Sequence, residues 1–185
     1  MQYLFWNCIN FKKIDVSGFD TSLVENTAMM FQSCTSLESI DVSNFDTSRV
    51  RGMGYMFSGC SSLTKLNVSK FVTKLVTDMT SMFAGCSKIK ELDVSNFETG
   101  KVLGVNHMFY NCKNLQKIVV SNWKTGSAKN MSYMFNGTKA LTTITIGCDW
   151  VTSTNNTGMF SGSNYTLSNF NTLIEQIQAT CTTTN

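Results

Sequence analysis

Cysteine recurs at a fixed step of 26 residues: Cys8, Cys34, Cys60, Cys86 and Cys112. Phe5, Phe31, Phe57, Phe83, Phe109 and Phe135 keep the same step, and Phe160 follows after 25. A methionine precedes the aromatic at Met30, Met56, Met82, Met108, Met134 and Met159. A period of this length marks a solenoid, in which each unit buries its apolar face only by stacking on its neighbours. The 185 residues make about seven units, the first and last incomplete. Apolar residues at 42% suffice for such a core, and the absence of proline removes collagen-like and proline-rich readings. No apolar run approaches the ~18 residues of a membrane span. A net charge of +3 spread along the chain argues weakly for nucleic acid, and none is expected as a partner.

Within a unit the periodicity switches. Ile40 and Val42 alternate with Ser39, Asp41 and Ser43, the pattern of a short half-buried strand. Val50, Met53 and Phe57 then fall at helical spacing, with Asp46, Thr47 and Ser48 as N-cap candidates and Ser-Gly after Phe57 as a stop. Each turn of the solenoid is therefore expected to read strand, corner, short helix, corner. Residues 1–163 form this array, and residues 164–185 leave the pattern. There Leu167, Phe170, Leu173, Ile174 and Ile177 share one helical face, with Ser168 as a candidate cap. This predicts a capping helix over the last coil and a frayed tail at 182–185.

The unit L-x-x-[IL]-D-V-S-x-F-x-T-x-x-V-x-x-M-x-x-M-F-x-x-C is seen well in residues 41–48 (Asp-Val-Ser-Asn-Phe-Asp-Thr-Ser) and 56–63 (Met-Phe-Ser-Gly-Cys-Ser-Ser-Leu). It resembles the BspA-type leucine-rich repeat, also called the DUF285 or mycoplasma-lipoprotein-type repeat, over residues 4 to 163. The resemblance implies an α/β repeat solenoid, right-handed, with a parallel β-sheet on one face. It also implies surface-exposed adhesins and lipoproteins, hence an extracellular or cell-surface location and a longer parent with an upstream signal. The sequence departs from the motif at Phe11, Val119, Trp123, Thr138 and the run Thr145-Ile146-Gly147-Cys148.

Stacking turns columns of the sequence into spatial ladders with a step of ~4.8 Å. Ile14, Ile40, Leu66, Leu92, Ile118 and Ile144, and Val16, Val42, Val68, Val94, Val120 and Ile146, point inward. The five ladder cysteines read as buried free thiols, because ligands converging in fours are absent. Cys148 and Cys181 stand off the ladder, and their pairing stays open. Thr21, Thr47, Thr73, Thr99 and Thr125 either bridge coils through their hydroxyls or cap helices.

The outward strand columns carry the candidate ligand face: Asp15, Asp41, Asn67 and Asp93; Ser17, Ser43, Ser69, Ser95 and Ser121; and Lys13, Ser39, Lys65, Glu91 and Lys117. Regular hydroxyl, amide and carboxylate groups suit a glycan or a polar protein surface. The competing reading is a solvated face whose Asp and Ser bond to local backbone. Asp15 and Asp41 supply too few oxygens for calcium, so no metal and no cofactor is expected. No active site is expected either. His107 is the only histidine, the nucleophile motifs are absent, and stacked carboxylates in identical environments do not divide into acid and base. The expected function is a non-catalytic binding or adhesion module recognising a host or cell-surface protein or glycan. The alternative is a structural spacer or assembly subunit of a surface or virion structure, self-associating through its open N-terminal coil.

Overall fold

The computed structural model describes residues 1–182. Three parallel strands, β1 (Glu91–Asp93), β2 (Lys117–Val120) and β3 (Thr143–Ile146), form a sheet in that order. Their register is the sequence period itself: Glu91 pairs Lys117, which pairs Thr143. Towards the N-terminus the same line continues only as a bridge between Ser39 and Lys65 and as single bonds, Glu38 N–H to Lys12 O and Thr64 N–H to Glu38 O.

The side chain at the third strand position explains why regular strand forms in only part of the line. In the early units Asp15, Asp41 and Asn67 accept the amide of the serine two residues on through Oδ1, at 2.9, 2.9 and 3.0 Å. Such an Asx turn curls the backbone out of the ladder. Asp93 does the same with Ser95, and β1 stops at Asp93. In the next two units Val119 and Thr145 stand in its place, and β2 and β3 each run one residue further. β-branched residues there also favour the extended chain.

The short helix expected in each unit does not form. Phe57 lies in a run of tandem turns over residues 54–59, Val50 and Met53 precede that run around the bridge residue Gly52, and the only α-helix among the described residues is α1 (Leu167–Thr182). The amides of this run alternate in destination. Tyr55, Phe57 and Gly59 donate to Thr80, Met82 and Ala84 of the next coil, at 2.8, 2.9 and 2.7 Å. Met56, Ser58 and Cys60 close turns onto residues three back. Two positions per coil take left-handed backbone, as at Tyr55 (φ 59°) and Gly59 (φ 77°), so right-handed helix cannot propagate. A helix this short is marginal alone, whereas pairing every second amide with a neighbouring coil satisfies it through the stack. The inward Met, Met and Phe keep their positions because three-residue turns mimic helical spacing.

A second ladder, absent from the sequence reading, runs through Asn26, Gly52, Asp78, Gly104 and Asn130 as parallel bridges. Glycine alternates with Asn or Asp for a steric reason. A Cβ on Gly104 would come within 2.9 Å of Thr80 Oγ1 and 3.4 Å of Asp78 Oδ1.

The core is a set of columns. Phe5, Phe31, Phe57, Phe83, Phe109, Phe135 and Phe160 stack ring on ring, with centroids 5.2 to 6.0 Å apart. Val42, Val68, Val94 and Val120 are buried, as are Leu92, Ile118 and Ile144, while Ile14, Ile40 and Leu66 are half-buried. The corner aromatics Phe45, Phe71, Phe97 and Trp123 are buried too. In unit five the indole of Trp123 donates to Val94 O at 2.9 Å. In earlier coils an asparagine amide does that work, Asn44 to Val16 O at 3.0 Å and Asn96 to Val68 O at 3.1 Å.

Buried polar groups bind coil to coil. Thr73 Oγ1 donates to Glu98 O and accepts from Glu98 N–H, at 3.2 and 2.7 Å, and Thr21, Thr47, Thr99 and Thr125 repeat this clasp. Of the two threonine roles, bridging is the one observed. Cys34, Cys60, Cys86 and Cys112 are free thiols that donate to the carbonyls of Phe5, Phe31, Phe57 and Phe83 at 3.1–3.2 Å.

α1 lies on the last coil. Phe170 and Ile174 are buried, and Phe170 meets Phe135, Trp150 and Phe160. Its cap is Thr166, whose Oγ1 accepts the Asn169 amide at 3.1 Å, and the expected cap Ser168 sits within the first turn. Cys148 and Cys181 form a disulfide with Cα atoms 6.0 Å apart, which joins the end of α1 to the corner after β3. Of the tail expected to fray, residues 183–185 lie outside the described residues, and Thr182 is the last residue of α1.

Candidate functional site

Parallel pairing in a 26-residue register places the strand-face candidates in rows. Lys13, Asp15, Ser17, Ser39, Asp41, Ser43, Lys65, Asn67, Ser69, Glu91, Asp93 and Lys117 are all exposed, and Ser95 and Ser121 are half-buried. Glu91 and Lys117 are direct cross-strand partners. A shallow depression of about 130 Å³ lies among Glu91, Leu92, Asp93, Lys117 and Val119.

The carboxylates on this face are engaged locally. Bonds from the Ser43 hydroxyl and amide hold Asp41 below the usual carboxylate range, and Ser95 does the same for Asp93. For Asp15 the Ser17 amide contributes most, with its hydroxyl adding to it. Asp20 and Asp46, at the corner beyond the strand, are lowered alike by Ser22 and Ser48. Each Asp thus spends Oδ1 on the amide of the serine two residues away. Burial acts the other way on the thiols: it pushes Cys34 up to about 11 and Cys112 up to about 12, and raises Cys60 and Cys86 as well. Thiols held protonated and walled in make poor nucleophiles and poor metal ligands.

Among the described residues no three His, Cys, Asp or Glu side chains converge as metal ligands would. His107 lies on the turn segment, its ring against Tyr133 at 5.0 Å and Tyr110 at 5.4 Å, with Asn106 Nδ2 3.3 Å from Nδ1. No described helix is long and apolar enough to cross a membrane.

The family described as "Mycoplasma protein of unknown function, DUF285" matches residues 1–91 and 59–177, two overlapping spans that cover nearly the whole chain. The chain belongs to this family. Its BspA-type motif is therefore a family trait, carried by the same residues that build the threonine, cysteine and phenylalanine ladders. Among solved structures, a leucine-rich cell surface protein from Faecalibacterium prausnitzii is similar at 21% identity and a TM-score of 0.38. That match covers 64% of this chain and 35% of the other, so the chain spans about a third of that structure's length. A comparison with curated proteins finds no match.

Sequence reasoning named the strand face but missed a row of lysines beside it. Lys88, Lys90, Lys113 and Lys139 come just before the strands, in positions that other units fill mostly with Ser, Thr, Asn or Gln, with Ile9, Lys12, Glu38 and Ala140 as the exceptions. Column averaging concealed them, because no single column holds more than two.

Proposed function

We propose that this chain is a non-catalytic binding or adhesion module, a right-handed repeat solenoid acting at a cell surface. It recognises a protein or glycan through the exposed strand face. One observation carries the reading: the aspartates of that face make their hydrogen bonds within their own coil and none that clasps one coil to the next. Asp15, Asp41 and Asp93 bond within their own coil, whereas the coil-to-coil clasps come from buried Thr, Cys and backbone groups. Side chains free of that duty can vary with the ligand, as solenoid surfaces do. The family membership, with the BspA-type motif that it shares, supports this location.

The test is a screen of the purified chain against arrayed glycans and host-surface proteins, with an Asp15/Asp41/Asp93→Asn variant in parallel. Asparagine keeps the Asx turn, as Asn67 already does, so the variant stays folded. Binding that the variant loses supports the reading. Binding retained at full strength removes those carboxylates from it.

A second reading, a spacer or assembly subunit, is favoured by the first coil. There Tyr3, Leu4, Trp6, Ile9 and Phe11 are between 45% and 57% exposed, an apolar surface of the kind that self-association covers. Sedimentation that shows a concentration-dependent dimer, abolished by Trp6→Glu, would support it.

A further inference from the structure

Charge is distributed unevenly along the stack. Residues 61–140 hold 11 lysines, no arginine and only four acidic residues, Asp78, Glu91, Asp93 and Glu98. Residues 1–60 hold four basic and six acidic residues, and residues 141–185 hold no basic and two acidic ones. The modest overall charge conceals a strongly basic middle.

The fold gathers six of these lysines on one side, at the corner leading into the strands. Lys65 and Lys117 stand in the strand column, Lys88 and Lys90 precede β1, and Lys113 and Lys139 begin the next two approaches. All six are exposed. Backbone bonds hold these approaches side by side: Gln116 N–H to Lys90 O at 2.7 Å and Ala140 N–H to Lys113 O at 3.3 Å. Three coil steps of ~4.8 Å make the row about 14 Å long, parallel to the stack. A cleft of about 580 Å³ opens within it, lined by Thr64, Lys65, Leu66, Lys88, Lys90 and Glu91.

The same corner behaves differently at the start of the stack. There Lys12 is paired with Glu38 of the next coil at 3.2 Å, so side chains of this column do reach across a coil step. In the middle of the stack the equivalent positions are Thr64, Lys90 and Gln116, and none of the six lysines has an ion-pair partner within 4.0 Å among the described residues. The far corner differs again, since Lys124 is held by Asp149 at 3.6 Å. Among the described residues only Glu91 and Asp93 stand beside the six lysines, so the row keeps an excess of positive charge that repels itself, and a bound anion relieves that repulsion.

Given a recognition role for the strand side, the geometry points to a linear acidic glycan, sulfated or uronic, as the ligand of this lysine row. Lysine is a point charge on a flexible stem, suited to anionic groups whose positions vary along a polymer. Planar bidentate phosphate recognition favours arginine, and single-stranded nucleic acid sites add aromatic platforms, and the row has neither. Instead the lysines are interleaved with Asn114 and Gln116, whose side-chain amides offer donors and acceptors to sugar hydroxyls, while Ser87 and Thr64 donate to Ser61 O and Glu38 O and keep acceptor capacity.

The experiment measures the affinity of the chain for heparin, for desulfated heparin, for single-stranded DNA and for vesicles containing anionic lipid, at 0.15 M salt. A Lys88/Lys90/Lys113/Lys139→Gln variant and the Asp15/Asp41/Asp93→Asn variant are run beside the parent. Expected are heparin binding that weakens as salt rises, and a loss of about tenfold or more in the lysine variant, the sum of four screened contacts. The aspartate variant binds heparin at least as well as the parent. Thermal unfolding of the lysine variant should match the parent, because the lysines take no part in the clasps. No heparin binding at 0.15 M salt, equal binding by the lysine variant, or tighter binding to DNA or vesicles would each overturn the assignment. A ligand from the wider screen that is lost in the aspartate variant but kept in the lysine variant would preserve the recognition role while removing the acidic glycan.

Discussion

The inner wall and the outer strand face use their polar side chains for opposite purposes. Inside, the hydroxyl of Thr73 and the thiol of Cys60 reach carbonyls of neighbouring coils, 25 and 29 residues away in sequence. Outside, Asp41 reaches Ser43, two residues away. The first kind of bond holds the stack together, and the second shapes a turn within one coil. The bonds that hold the stack together are thereby placed on the inner wall, and the strand face proposed for recognition can change without them.

That contrast breaks most severely where the inner wall receives a charge. Val68→Asp buries an unpaired carboxylate at a site 1% exposed, and the expected result is loss of cooperative unfolding across the array, read by circular dichroism. If Val68→Asp melts like the parent, the inward assignment of that column is wrong. Opening the Cys148–Cys181 link with a Cys181→Ser change comes next. It releases a closure of 33 residues and should cost about 2–4 kcal/mol, with α1 losing amide protection first. Thr73→Val removes one clasp and leaves the Glu98 amide and carbonyl short of partners. A loss of about 1–3 kcal/mol in denaturant titration is expected, with Thr73→Ser recovering most of it.

Titration separates the two walls as well. The lowered carboxylates Asp15, Asp20, Asp41, Asp46 and Asp93 bind protons more weakly folded than unfolded. Their contribution is present above the unfolded value of 3.8 and is lost as pH falls through the folded values. Stability should therefore be flat from neutral pH to mild acid and decline in strong acid. Raised thiols set the alkaline limit. Unfolded thiols ionise near 9.0 while Cys34 waits until about 11, so stability falls as pH rises across that window. The smallest effect belongs to Asp41→Asn, which keeps the Asx acceptor. It should leave the melting temperature nearly unchanged while trimming the acid limb.

The legible part of this fold was whatever repeats. The inward Val and Ile columns, the phenylalanine column and the buried thiols all follow from one register, whereas the threonines of that register were open between bridging and capping until their partners were seen. The helix failed because Val50, Met53 and Phe57 satisfy helical spacing and tandem-turn spacing equally well. Left-handed backbone at Tyr55 could not be anticipated from a tyrosine, a residue with no preference for that conformation. Likewise, Gly52 and Gly104 make sense only once Asn26, Asp78 and Thr80 are seen beside them. In the candidate site, the exposure of the strand columns was readable, but the local capture of each Asp was one of two open readings. The lysine row was hidden because its members are scattered over several columns.

The 26-residue step by itself determined that coils stack, which residues face inward and where thiols are buried, because equivalent positions in a regular stack must share an environment. Tertiary structure decided how the backbone between those positions runs, whether Cys148 meets Cys181, and how lysines from four coils come to stand in one row. Those outcomes depend on partners in other coils: an amide in the turn segment chooses between its own carbonyl three residues back and one in the next coil, and only the neighbour's position settles the choice.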